Sequence, residues 1–191
     1  LLVRIPGWVR NQVVPSDLYK YSDAEQPAYS VSVNGKVVEG DLVANKGYLP
    51  VKNIRKGDVI RIHFDMPVRT VVANGKVVDD RGKVAVERGP LVYCAEAVDN
   101  DDAPVLRSVV AKNPAFSVID GYSISNTESQ GAPAFSVKAI QTDAQVLDQA
   151  ADGKVSVENQ KLTLIPYYAW NHRGANQMNV WFYQDLQVLE K

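Results

Sequence analysis

Lys83-Val-Ala-Val-Glu-Arg-Gly-Pro-Leu-Val-Tyr-Cys-Ala-Glu96 decides the fold class. Two short apolar runs, Lys83 to Glu87 and Leu91 to Glu96, flank Arg88-Gly89-Pro90. That punctuation has no nucleophile and no phosphate-loop spacing. It reads as a bulge or tight turn between two strands. Working outward, the same unit recurs about every ten residues. Upstream, Val68 to Ala73 leads into Asn74-Gly75, and Lys76-Val-Val78 is expected to return as its hairpin partner. Val59-Ile-Arg-Ile-His-Phe64 alternates, with His63 facing away from Ile62 and Phe64. Tyr29 to Val33, Asn34-Gly35 and Lys36 to Val38 form the clearest hairpin, because both turn residues tolerate the positive φ that such turns need.

Downstream, Asp99 to Pro104 is the most polar run, and the boundary between two units is expected there. Shorter strands are expected at Pro114 to Val118, Phe135 to Ile140 and Lys154 to Val157. Lys161 to Trp170 is followed by a turn at Asn171 to Gly174, and Gln177 to Tyr183 runs back. Thr142 to Ala151 has weak helical spacing, enough for a turn or two, and Leu186 to Lys191 reads as a tail. The fold class is therefore all-β: two tandem antiparallel β-sandwich, jelly-roll-like domains over 1–98 and 99–191.

Composition narrows the function. The chain has 191 residues, 21 Lys+Arg against 22 Asp+Glu, and a formal net charge of -1. Neither nucleic acid nor an anionic membrane is an expected partner, since both select clustered cations. No apolar stretch approaches the ~18 residues of a membrane-spanning helix. A single Cys excludes an internal disulfide and a CxxC metal site, and two His leave little for a histidine metal centre. Cys94 sits in an apolar strand and reads as a core residue. Asp99, Asp101 and Asp102 read as a solvated loop, since a calcium loop needs alternating oxygen ligands and a glycine turn.

Four residues stand out as candidate contacts. Trp170, His172 and Arg173 place an aromatic ring, an imidazole and a guanidinium within one hairpin tip. Sugar sites use that mixture, and so do domain-docking surfaces. Trp8, after Pro6-Gly7, has the same two readings beside a third, closure of the core. No catalytic residue and no metal ligand is assigned.

Leu2-Val-Arg-Ile-Pro-Gly-Trp8, Val33-Asn-Gly35, Gly47-Tyr48, Lys56-Gly57-Asp58, Asp65-Met-Pro-Val-Arg69, Gly82-Lys-Val-Ala85 and Glu87-Arg-Gly-Pro-Leu-Val-Tyr-Cys94 follow one another in order. Pro166-Tyr-Tyr-Ala-Trp170, Asn171, Arg173-Gly174, Met178 and Val180-Trp181 close the chain. This succession resembles glycoside hydrolase family 127, the β-L-arabinofuranosidase family, over nearly the whole chain. The resemblance implies a large (α/α)6 barrel upstream, followed by two β-sandwiches. It also implies a Cys nucleophile and a zinc held by Cys and Glu in that barrel. No position here matches that Cys-rich motif, so no cofactor is expected in these residues.

The segment opening at Leu1 reads as a strand already in progress, so the first sandwich is expected to lack its N-terminal strands. The expected function is accessory: a non-catalytic region that packs against the catalytic barrel of a longer hydrolase. A carbohydrate-binding module and a self-associating interaction module are the alternatives. The compartment is left open.

Overall fold

The computed structural model describes residues 1–40, 46–124, 134–149 and 154–185, the side chain of Gln149 excepted. The expected tail at Leu186 to Lys191 lies outside them. Among the described residues the longest helix is the 3-10 turn Gly7–Arg10, and the all-β expectation holds. The strands are β1 (Leu2–Arg4), β2 (Tyr19–Tyr21), β3 (Tyr29–Val33), β4 (Lys36–Val37), β5 (Tyr48–Pro50), β6 (Ile60–Phe64), β7 (Val68–Ala73) and β8 (Lys83–Arg88). They continue as β9 (Leu91–Glu96), β10 (Ser108–Val110), β11 (Ser117–Ile124), β12 (Phe135–Gln149), β13 (Val155–Pro166), β14 (Met178–Asn179) and β15 (Phe182–Tyr183).

The first of these strands make two small sheets. β1 pairs with β5, and β3 lies between β4 and β6. Val3, Ile5, Val9, Val31, Leu49 and Val51 are buried between them. The hairpin at Asn34-Gly35 forms as expected: Val33 faces Lys36, and the turn residues have φ of 50° and 81°.

The larger sheet closes on itself. Its path runs β9-β13-β12-β10-β15-β8, and β8 also pairs with β9, which completes a ring of six strands. Two opposed walls therefore share one core, as in a sandwich whose edges are joined. The pleat explains which side chains fill it. Val84 and Val86 of β8, Tyr93 and Ala95 of β9, Ile140 and Ala144 of β12, Leu162 and Leu164 of β13 and Phe182 of β15 all point inward. Cys94, Ala139 and Ile165, on the opposite face, belong to a second core under β11 and the 167–180 segment. The decisive hairpin turns at Gly89, whose φ is +59° and where an added Cβ would meet Met66 Cε at 2.5 Å. Arg88 faces Leu91 across it, so it is a tight turn.

Three local expectations are corrected. Asn74-Gly75 does not close a hairpin: β7 pairs with β8, and Val78–Asp80 is a 3-10 turn. The Asn74 side chain instead accepts from the Lys76 N–H and donates to the Asp17 carbonyl, which bends the chain away before Lys76 can return. Thr142 to Gln149 is not helical but the second half of the long strand β12, paired residue by residue with β13. Ladder formation outweighs its weak spacing, and Ala150 and Ala151 lie outside the described residues. The segment after Gly174 returns, but beside β9 and β8 rather than beside β13.

Candidate functional site

Trp8 lies half-buried in the turn after Pro6, its ring edge-on to Phe64 at 5.7 Å. It packs against both the first small core and the Tyr21-Val71-Ala85 cluster, and so links the small sheets to the large one. Beside it lies a charged cluster. The Arg69 guanidinium stacks 3.5 Å over the Tyr21 ring. Its Nη2 donates to Asp23 Oδ1 at 2.7 Å and Asn11 Oδ1 at 2.6 Å. The Tyr21 hydroxyl donates to Glu87 Oε2 at 3.0 Å.

The two carboxylates of this cluster titrate in opposite directions. Hydrogen bonding from Arg69 holds Asp23 below the usual carboxylate range, while burial pushes Glu87 above it. Asp23 therefore adds stability above its ordinary value, and that contribution is lost as pH falls. Glu87 acts the other way. Folded protein holds its proton more tightly, so stability declines as pH rises from the ordinary value through the raised one. Glu87→Gln is accordingly expected to be more stable than the parent at pH 7. The difference should vanish near pH 4, read by urea denaturation at both values.

The tip residues divide. His172 is exposed and meets the Phe135 ring edge-on at 5.6 Å. Trp170 is half-buried, its ring tilted against Tyr167 at 5.9 Å. Tyr167 and Tyr168 are 44% and 62% exposed, so an aromatic surface surrounds the tip. Arg173 points the other way. Its side chain is 6% exposed and paired with Glu96, 0% exposed, and Asp99, 1% exposed. Nη2 reaches Glu96 Oε2 at 2.5 Å, and Nη1 donates to Asp99 Oδ1. Glu96 Oε1 accepts from the Asn171 N–H and from Asn176 Nδ2, each at 3.1 Å. Tyr122 donates to Asp99 Oδ1 at 2.7 Å, and burial followed by the Asp99 hydrogen bond raises its hydroxyl to about 12. For Arg173, burial disfavours the charge, but the hydrogen bonds it donates to Asp99 and Glu96 outweigh that and hold the pKa above its ordinary value.

Asp99 is therefore not a solvated loop residue, whereas Asp101 and Asp102 are exposed. Glu96, Tyr122, Asn176 and the tyrosines Tyr167 and Tyr168 were not singled out in the sequence. One signal for Glu96 was present. Leu91 to Ala95 is apolar on both pleat faces, so a carboxylate ending that strand is carried inside with it. Asn100 extends the same region: its amide donates to the Glu96 and Thr163 carbonyls and accepts from the Thr163 N–H, substituting for a ladder residue.

Among the described residues no group of three or more His, Cys, Asp or Glu could hold a metal. Cys94 is buried, and burial pushes its thiol up to about 12. His63 is exposed and bonded to Asp65.

Comparison with known proteins gives a consistent set. The family model for the glycoside hydrolase family 127 C-terminal domain matches residues 68–183. A non-reducing end β-L-arabinofuranosidase of Bifidobacterium longum subsp. longum is 34% identical over 183 residues, which are 93% of this chain and 25% of that protein. A solved GH127 β-arabinofuranosidase is 47% identical with a TM-score of 0.83, covering 97% of this chain and 28% of its own. A GH127 β-L-arabinofuranosidase of Geobacillus stearothermophilus T6 is 28% identical with a TM-score of 0.69, covering 95% and 26%. The chain thus spans about a quarter of the length of the relatives it matches.

Proposed function

Since the chain belongs to glycoside hydrolase family 127, we propose that it is the accessory β region of a longer hydrolase and takes no part in bond cleavage. The longer protein removes terminal β-L-arabinofuranosyl groups, the activity in the names of its relatives. The observation that carries the accessory reading is the exposed aromatic surface of Tyr167, Tyr168, Trp170 and His172. It is held from beneath by the buried pairing of Arg173 with Glu96 and Asp99. Rigid, half-exposed aromatic rings give docking area at low entropic cost, and the buried charges fix the tip that presents them. In this reading Trp170 and His172 touch the catalytic part, Arg173 positions them, and Trp8 serves as internal packing. We also place the seam between the two β units near Asp65 to Pro67. A seam at Asp99 would cut the pairings of β9 with β13 and β14 and of β8 with β15, whereas among the described strands only the ladder of β2 with β7 crosses Asp65 to Pro67.

The test substitutes Tyr167→Ser and Tyr168→Ser together, in this chain and in the full-length enzyme. Melting of the 191-residue chain should be unchanged, while the enzyme should inactivate faster on heating. Equal heat resistance of the substituted and parent enzymes would remove the docking surface from this tip. Purified chain should not turn over an aryl β-L-arabinofuranoside; any turnover would overturn the accessory reading.

A further inference from the structure

We propose that Asn74-Gly75 is a modification site, where the Asn74 side chain spontaneously loses its amide and becomes aspartate or isoaspartate, while Asn34-Gly35 is protected. The chain carries its own control. Val33-Asn-Gly-Lys-Val-Val38 and Ala73-Asn-Gly-Lys-Val-Val78 differ only in the residue before the asparagine. A difference in reactivity between them therefore comes from the fold. The aromatic tip and its docking do not enter the argument.

The step needs only water, and asparagine is among the thermolabile residues. Hydroxide takes the proton of the Gly75 N–H, and the nitrogen attacks Asn74 Cγ. A C–N bond forms, the Cγ–Nδ2 bond breaks, and Nδ2 leaves as ammonia with a proton from solvent. Water then opens the resulting cyclic imide at either carbonyl, which leaves a carboxylate in place of the amide. Access does not separate the two sites. Both glycines are exposed, with nothing within 4 Å of the place a Cβ would take.

Side-chain geometry and charge do separate them. The Lys76 N–H donates to Asn74 Oδ1 at 3.0 Å. That bond curls the carboxamide back over the turn and keeps Cγ beside the Gly75 nitrogen. It also sets a donor on the oxygen that becomes negative during attack. The Asn74 carbonyl, which shares the charge of a deprotonated Gly75 nitrogen, accepts from the Val77 N–H at 2.8 Å. The Arg81 guanidinium donates twice to the Gly75 carbonyl, at 3.0 and 2.7 Å, so a full positive charge stands beside the reacting peptide. Asn34 has the opposite surroundings. Its Oδ1 accepts from the Val59 N–H at 2.9 Å and its Nδ2 donates to Asp58 Oδ1 at 2.8 Å. Both bonds pin the carboxamide to the entry of β6, away from the Gly35 nitrogen. The Arg55 N–H, and then the Asn34 amide, hold Asp58 below the usual carboxylate range, so the neighbour is an anion that opposes a second negative charge.

Conversion would be felt where the two β units join. Asn74 Nδ2 donates to the Asp17 carbonyl at 3.2 Å, and the Asn74 N–H to the Leu18 carbonyl at 2.7 Å, at the end of the β2–β7 ladder. A carboxylate cannot donate, and it would face the Asp17 carbonyl as a second acceptor.

The experiment ages the 191-residue chain in mildly alkaline buffer, folded and in urea. Mass spectrometry of the tryptic peptides Thr70 to Lys76 and Tyr21 to Lys36 reads each site, and chromatography separates aspartate from isoaspartate. Folded chain should convert Asn74 at least about tenfold faster than Asn34. In urea the two should convert at the same rate. Arg81→Met should slow Asn74 by about two- to fivefold and leave Asn34 unchanged. Asp58→Ala should speed Asn34. The proposal is overturned if folded chain converts Asn34 as fast as Asn74, if neither converts when folded, if the preference persists in urea, or if either variant converts like the parent.

Discussion

Arg173→Ala is expected to lower the melting temperature of the chain by about 10 °C. The reasoning starts from the two carboxylates, not from the arginine. Glu96 and Asp99 are 0% and 1% exposed, and Arg173 is the cation that both of them face. Truncating it leaves two like charges buried in one place. Breaking a buried pair in this way costs about 3–5 kcal/mol, and for a chain of this size each kcal/mol moves the melting point by about 2–4 °C. Arg173→Lys should recover only part of the loss, because a lysine cannot offer Nη1 and Nη2 to two carboxylates in one plane. Replacing all three charged groups at once, Arg173→Met with Glu96→Gln and Asp99→Asn, should recover most of it, since no orphaned charge then remains. Calorimetry of the three variants separates the cases. A shift below about 2 °C for Arg173→Ala would mean that water reaches Glu96 and Asp99 and that the tip is not held by charge.

Where local chemistry acts alone, the sequence was readable. Asn34-Gly35 is flanked by two runs that can pair with each other, and the hairpin forms with Val33 opposite Lys36. The two apolar runs on either side of Arg88-Gly89-Pro90 are adjacent strands as read, with Arg88 facing Leu91 across a tight turn. The same dipeptide at Asn74-Gly75 failed because the outcome depended on a distant group, the Asp17 carbonyl that takes the Asn74 amide. Thr142 to Gln149 looked ambiguous because its partner, β13, is what makes it a strand. The candidate site divides in the same way. Trp170 and His172 at an exposed tip were visible from residue type. The inward turn of Arg173 was not, because its acceptors lie 77 and 74 positions away in sequence at Glu96 and Asp99. Asp99 itself was misread for the reason that makes it informative: a polar run looks solvated until one member of it is claimed by a buried cation.

The ring of strands predicts a second large effect, Phe182→Ala. β15 is two residues long, and its register with β10 consists of the single pair Val109 and Tyr183. With β8 it makes two pairs, Phe182 with Val84 and Tyr183 with Lys83. So few ladder positions cannot hold a strand in place by hydrogen bonding alone, since each bond is worth only about 1 kcal/mol net. Phe182, fully buried among Val84, Tyr93, Val110 and Leu164, is what anchors it. Truncating a buried phenylalanine costs about 3–5 kcal/mol, and here the loss falls on the closure of the ring between β8 and β10. Hydrogen exchange of Phe182→Ala should therefore speed up first at Val84 and Val109, while Val31 and Ile62 in the ladder between β3 and β6 keep their protection. Val157→Ala, at a side chain 47% exposed, should change stability by less than about 0.5 kcal/mol and serves as the control. If Phe182→Ala instead accelerates exchange equally in both regions, the small sheets and the ring unfold as one unit, and the seam near Pro67 has no energetic meaning.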